Sequence, residues 1–401
     1  MPQPIYLDNA ATSFPKPPAV GSAMAEFLAG SAGNPGRGGH ALSRAAVVPL
    51  DTARERLAQL INAPCPSRVV LTGGCTDSVN LAIHGVLRDC LRRRPGSPPH
   101  VVTTAAEHNA VTRTLHCYGE SGEVRITTVS CDGAGRVDPH AFLDACDENT
   151  VLACLTHASN ATGAIQPVSE IGGGLRRCAP DALLLVDAAQ TAGHVEIDVQ
   201  ANDIDLLAIA GHKGLLGPTG TGALFVGPRA FPDPEDEEAR RIFCQRRGGT
   251  GAVASGYEMP DVLPDALEAG TANTVGFAGL LAALDAREPE WHAHELAMTN
   301  ALRAGLQELD GVTLHGPMPG EPSTPVVLFS IEGVHPREAG CELDQRFGIC
   351  VRGGTHCAPL LHQAIGTAPH GAIRASPGWS TRHEDIDALL TGVRELAAKT
   401  R

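Results

Sequence analysis

Short apolar runs rich in Val, Ile and Leu alternate with stretches of helical periodicity, and that rhythm limits the fold of this chain more than any other feature. The runs pair as 68–71 then 76–91, 100–103 then 108–118, 124–129 then 138–146, and 151–156 then 168–178; 182–186, 205–209 and 223–226 follow as further strands. Strands alternating with helices form a mainly parallel sheet covered on both faces, with ligands gathered at the carboxyl ends of the strands. The expected class is therefore α/β. Residues 227–247 read as an exposed acidic loop and Gly248-Gly249-Thr250-Gly251 as a glycine turn. After Thr271 the pattern changes: helices near 275–286 and 289–309, a strand at 325–331, a helix near 337–347 and a closing helix at 382–398 predict a smaller α/β domain.

A chain of 401 residues can bury a large core and accommodate two or three domains. Its net charge is −14, and no basic run exceeds Arg92-Arg93-Arg94, so nucleic acid and anionic membranes have no electrostatic footprint here. Small molecules and proteins are the expected partners. The 12 cysteines contain no C-x-x-C pair, which argues against a disulfide framework and against zinc held by cysteine pairs. Residues 1–20 lack a basic-then-apolar leader, and no apolar run approaches the ~20 residues of a membrane span. The expectation is a cytoplasmic protein with reduced thiols and no metal.

Three of the 31 basic residues are lysines. Lys16 and Lys399 lie near the termini, where a solvated charge costs little. Lys213 follows the buried-strand pattern of 204–210 and is embedded in Gly211-His212-Lys213-Gly214, where burial lowers an ammonium pKa. A lysine forms a Schiff base, which arginine cannot. The plain alternative is a snorkelling surface lysine.

Other strand-end residues fit the same chemistry. Asp187 ends the run Leu183-Leu184-Leu185-Val186 in a carboxylate, which can keep a pyridine nitrogen protonated; a strand-end Asp also serves as a helix cap. Thr72-Gly73-Gly74-Cys75-Thr76-Asp77 lies between a strand and a helix, where backbone N–H groups bind phosphate or merely close a capped turn. Gly217-Pro218-Thr219-Gly220-Thr221-Gly222 precedes a strand and lacks a GK[ST] ending, so both nucleotide-loop readings fail. His108 opens a helix where a flat ring could stack on it. Asn160 and Gln190 stand beside strand ends as donors to a phenolic oxygen or as turn residues.

The ordered set Tyr6-Leu7-Asp8-Asn9-Ala10-Ala11-Thr12, Glu107-His108, Ser159-Asn160, Asp187-Ala188-Ala189-Gln190, Gly211-His212-Lys213, Gly270-Thr271-Ala272-Asn273 and Arg352-Gly353-Gly354-Thr355-His356-Cys357-Ala358-Pro359 resembles the cysteine desulfurases of the class V aminotransferase fold. The resemblance covers nearly the whole chain and is closest to the short-loop, selenocysteine lyase-like type, since only 17 positions separate Cys357 from Arg374. It implies a fold-type I homodimer dependent on pyridoxal 5'-phosphate. A large domain at 16–270 would hold a mainly parallel seven-stranded sheet. A smaller domain at 271–401 would carry the catalytic cysteine, with 1–15 associated with it.

By the same resemblance, Lys213 binds the cofactor covalently, Asp187 meets the pyridinium nitrogen, Gln190 and Asn160 meet the phenolic oxygen, and His108 stacks on the ring and is expected to be catalytic alongside Lys213. Cys75, Thr76 and His212 belong to the phosphate site, with Thr271 reaching in from the partner subunit. Arg374, Arg352 and Asn9 are expected to bind substrate, and Cys357 to act as nucleophile. His356 adjoins Cys357 in sequence without establishing contact. Departures from the family pattern are Ala210 and Cys75, which stand where serine and threonine are frequent, and Gly354-Thr355, where a glycine–histidine pair is common. The implied activity is conversion of L-cysteine to L-alanine with sulfur passed to Cys357 and then to an acceptor protein. The alternatives are an L-selenocysteine lyase, or a class V aminotransferase or lyase that does not use Cys357.

Overall fold

In the computed structural model, which describes residues 4–36, 38–93, 96–232, 239–250 and 257–399, the expected alternation builds one large sheet. Part of the expected acidic loop, 233–238, and Gly251 of the expected glycine turn lie outside the described residues. The chain begins with β1 (Ile5–Tyr6), α1 (Pro18–Gly30) and α2 (Ala41–Leu60). It continues through β2 (Val69–Thr72), α3 (Cys75–Arg93), β3 (His100–Thr104), α4 (Asn109–Glu120), β4 (Arg125–Val129), α5 (Pro139–Asp144), β5 (Thr150–Thr156), α6 (Val168–Cys178), β6 (Leu183–Asp187), β7 (Leu206–Ala210) and β8 (Gly222–Val226). The strand order is β2-β8-β7-β6-β5-β3-β4, and only β8 runs antiparallel to its neighbours.

Every residue of β5, β6, β7 and β8 is buried, as a sheet covered on both faces requires. Successive side chains point to opposite faces. On one face Leu184, Val186, Leu207 and Ile209 meet Leu57 of α2 and Ile171 and Leu175 of α6; on the other, Leu183, Leu185, Leu206 and Ala208 meet Val79 and Ile83 of α3 and Val111 and Leu115 of α4.

The remainder forms α7 (Thr274–Ala286), α8 (Glu290–Gln307), β9 (Val312–His315), β10 (Val327–Ile331), α9 (Pro336–Phe347), β11 (Ile349–Cys350), β12 (Arg352–Gly354), α10 (Pro359–Ala364), β13 (Ala372–Ala375) and α11 (His383–Ala398). A four-stranded antiparallel sheet, β12-β13-β10-β9, packs Phe329 and Ile331 against Leu302, Leu343, Ile386 and Leu389. Helix α7, which the sequence pattern assigns to the smaller unit, joins the large core instead: Phe277 and Leu280 are buried with Leu57. The N-terminal segment belongs with the smaller sheet, because β1 pairs in parallel with β11 and Leu7 enters that core. Among the described residues no helix is long and apolar enough to cross a membrane.

Candidate active site

Sheet register brings the chemistry-bearing strand ends together. Thr156 at the end of β5 pairs with Asp187 at the end of β6, Asp187 pairs with Ala208 of β7, and β7 ends two residues before the turn His212-Lys213. Strand β8 runs back between β7 and β2, so Gly222 stands opposite both Ala210 and Thr72. A Cβ on Gly222 would come within 2.5 Å of Gly74 Cα, so only glycine lets the turn between β2 and α3 close onto the sheet. The result is a cavity of about 440 Å³ lined by Gly74, Cys75, Thr76, His108, Asn160, Asp187, Gln190, His212 and Lys213. At one end stands the N-terminus of the 19-residue helix α3, whose first backbone N–H groups favour an anion.

Electrostatics differ from residue to residue within the cavity. Asp187 Oδ1 accepts hydrogen bonds from the Cys75 thiol (3.1 Å) and the Ala189 backbone N–H (2.9 Å). Burial, followed by the Asp187 charge, holds the Cys75 thiol well above the usual thiol range, so Cys75 is a neutral donor to Asp187. Burial lowers the Lys213 ammonium below the ordinary lysine range; Asp187 opposes that shift, while Arg374 and Arg352 add to it. His108 caps α4, its Nδ1 accepting from the Ala110 N–H at 3.0 Å, which leaves the proton of the neutral ring on Nε2. Burial lowers its pKa, against the pull of Asp187.

Gln190 Nε2 donates to the Ala10 carbonyl (3.0 Å), and Asn160 Nδ2 to the His356 carbonyl (2.5 Å), leaving Asn160 Oδ1 buried without a hydrogen bond. His212 Nδ1 is likewise buried and unsatisfied, and burial, then the Lys213 and Lys16 charges, take its imidazole down to about 4. Lys16 is a correction to the sequence reading. Far from a solvated terminal charge, its Nζ lies 2.8 Å from the His212 carbonyl and 2.7 Å from Ser13 Oγ, and burial lowers it to about 8.

The loop after β12 carries Cys357. His356 and Cys357 both have left-handed backbones, with φ of 52° and 60°, a conformation costly for side chains of this size. Hydrogen bonds hold it: Asn160 to the His356 carbonyl, the Asn109 N–H to the Cys357 carbonyl (2.8 Å), and the Ala358 N–H to the Thr355 carbonyl (2.8 Å). Both nitrogens of the His356 ring are engaged, Nε2 2.9 Å from the Arg352 carbonyl and Nδ1 3.3 Å from His362 Nε2. Arg352 Nη2 lies 3.7 Å from Cys357 Sγ.

Besides Cys357 and Arg352, three expected residues stand outside the lining of the main cavity. Arg374 is 1% exposed on β13 and gives Nη1 to the Asn160 carbonyl (2.8 Å) and Nη2 to Asp8 (2.6 Å). Asn9 lines a small adjoining cavity with Gln190 and Lys213, its Nδ2 bonded to the Ser376 carbonyl at 3.0 Å. Thr271 is exposed on a cleft that shares Gly73, Asp77 and Gly220 with the main cavity. Sequence reasoning missed Asp8, although the motif containing it was in view; an acidic residue beside Asn9 carries no signal for an arginine 366 positions away.

A family model described as aminotransferase class-V matches residues 5–389. This chain belongs to the class-V aminotransferase family. Within the family it groups with the cysteine desulfurases. It is 36% identical to a probable cysteine desulfurase of Methanothermobacter thermautotrophicus, over 98% of this chain and 94% of that one. It is 33% identical to a cysteine desulfurase of Haloferax volcanii, over 98% and 90%. The apo structure of a cysteine desulfurase from Thermococcus onnurineus superposes with a TM-score of 0.88 at 29% identity, covering 99% of this class-V chain and 95% of the other. The mainly parallel α/β architecture expected from the sequence is thus that of the family.

Proposed function

We propose that this chain is a pyridoxal 5'-phosphate-dependent cysteine desulfurase that converts L-cysteine to L-alanine and retains the sulfur as a persulfide on Cys357. One observation carries the reading: Lys213, Asp187 and the N-terminus of α3 line one cavity, and the Cys357 loop is hydrogen-bonded to Asn109 and Asn160 beside it. The donor set suits the cofactor. A helix N-terminus with Thr76 and His212 answers the phosphate, Asp187 the ring nitrogen, Gln190 and Asn160 the phenolic oxygen, and the His108 ring one face. With Ala210 and Cys75 in place of hydroxyl residues, phosphate binding leans on backbone N–H groups, Thr76 and Thr271 of a second copy in a homodimer.

The bound cofactor supplies an electron sink for charge released at the substrate α-carbon. Lys213, its basicity lowered by burial, is suited to hold the cofactor and then to move the α-proton. Arg374, with Arg352 and Asn9, orients the substrate carboxylate. Cys357 attacks the substrate sulfur as a thiolate; the new S–S bond forms as the Cβ–S bond breaks, and the electron pair left on carbon takes a proton to become the methyl group of alanine. Arg352 is placed to donate to the anionic sulfur before attack. The body built on the large sheet, which α7 joins, would hold the cofactor, and the body built on the smaller sheet, with 1–15, the nucleophile. The short span from Cys357 to Arg374 keeps the persulfide near the site and favours collection by an acceptor protein in the cytoplasm.

The test is incubation of the purified protein with L-cysteine, measuring alanine and, with added reductant, sulfide. Equal yields of both, abolished in Lys213→Ala, are expected. Alanine from L-selenocysteine alone would instead indicate a selenocysteine lyase.

A further inference from the structure

Away from the residues assigned above, α8 and the segment following Gln190 bring three ligand-type side chains to one point. His194 Nδ1 lies 3.1 Å from Glu295 Oε2, His292 Nδ1 lies 3.8 Å from the same oxygen, and all three donor atoms fall within 4.8 Å of one another. We propose that His194, His292 and Glu295 form a binding site for a divalent transition metal of the zinc class.

Four observations support the assignment. The edge of a tetrahedron with zinc-type bonds near ~2.0 Å is about 3.3 Å, and the two histidine–carboxylate separations bracket it. The site is built rather than superficial: the Glu295 and His194 side chains are only 7% and 15% exposed. Both histidine Nδ1 atoms are buried with no hydrogen bond of acceptable geometry, so two unsatisfied imidazole nitrogens converge on a carboxylate. His292 and Glu295 lie at i and i+3 on one helix, a spacing that puts both on one face.

Arg287 feels the Glu295 charge, and its guanidinium donates to the Gly193 carbonyl. His194 and Glu295 also line a cavity of about 20 Å³ shared with Lys213 and Gln190, which has room for one water as a fourth ligand. Metal binding would clamp α8 to the segment that follows Asp187 and Gln190, and so stiffen one wall of the cofactor cavity.

The test uses the full-length protein, stripped with a chelator and titrated with Co²⁺. One ion per chain is expected, with the visible bands of nitrogen and oxygen ligation and no thiolate charge-transfer band, displaceable by Zn²⁺ and accompanied by a rise in Tm. His292→Gln, at a partly exposed position, should lose both the bands and the Tm rise while keeping the wild-type circular dichroism. Glu295→Gln should do the same if it folds. Absence of binding, or binding through thiolates that survives in His292→Gln, would overturn the site.

Discussion

Arg374 Nη2 lies 2.6 Å from Asp8 Oδ1, a contact that ties the first turn of the chain to the last strand of the smaller sheet. The guanidinium is almost wholly buried, its Nε has no hydrogen-bond partner, and the Asp8 side chain is 21% exposed. Removing one partner of a buried ion pair leaves an uncompensated charge and costs about 3 kcal/mol. Asp8→Asn keeps the shape and an acceptor oxygen, so its cost should be smaller, roughly 1–2 kcal/mol in urea unfolding. If Asp8 positions Arg374 for the substrate carboxylate, the variant should also raise KM for L-cysteine more than it lowers kcat. A loss of stability with unchanged kinetics would leave Asp8 a structural role only.

Cys357→Ala separates sulfur chemistry from selenium chemistry. Breaking the C–S bond needs a nucleophile to receive sulfur, whereas the weaker C–Se bond releases selenium with less help. The variant should lose L-cysteine turnover by about a thousandfold or more while retaining appreciable alanine release from L-selenocysteine. Equal retention on both substrates would remove Cys357 from the reaction.

Glu107 gives stability a pH dependence. It is fully buried, accepts from Thr104 Oγ1 (2.7 Å) and the Thr156 N–H (2.8 Å) on Oε1, and leaves Oε2 without a partner. Burial, partly offset by those two hydrogen bonds, raises its carboxyl from 4.5 to about 8. The folded state therefore binds a proton that the unfolded state releases, so the stabilisation is full below pH 4.5 and is lost as pH rises to about 8. Glu107→Gln removes that term. The stability of wild type relative to the variant should fall by several kcal/mol between about pH 5 and about pH 9, measured by urea unfolding. Parallel pH profiles would mean that Glu107 is ionised in the fold.

Thr271 tests assembly. It is exposed in one chain, on a cleft beside the cofactor cavity. If it completes the phosphate site of a second copy, the protein should sediment as a dimer at assay concentration, and Thr271→Ala should release cofactor faster on dialysis. A fully active monomer would exclude this role.

The large sheet was legible because its buried strands are uninterrupted apolar runs flanked by periodic helices; β6, β7 and β8 lie within a residue or two of the expected positions. Lys213 and Asp187 were legible for the same reason, since each follows such a run. Of the smaller sheet only β10, expected at 325–331, was legible. Arg352-Gly353-Gly354 has no strand pattern and becomes one only by pairing with β13, and β1 is a strand only through β11. Helix α1 was missed because its Ala, Gly and Leu residues show little sidedness. Lys16 was misread because its setting depends on a carbonyl 196 residues away. The pairing of Asp8 with Arg374, and the convergence of His194 on α8, are likewise products of tertiary structure that no local spacing announces.

The central claim is that sulfur passes from L-cysteine to Cys357. The direct measurement is mass spectrometry of the intact protein and its peptides after brief exposure to L-cysteine, with thiols alkylated before digestion. The account expects one added sulfur on the peptide containing Cys357, removable by reductant, formed in step with alanine and absent in Lys213→Ala. Alanine formation with no added sulfur on Cys357, or with the sulfur on another cysteine, would contradict it.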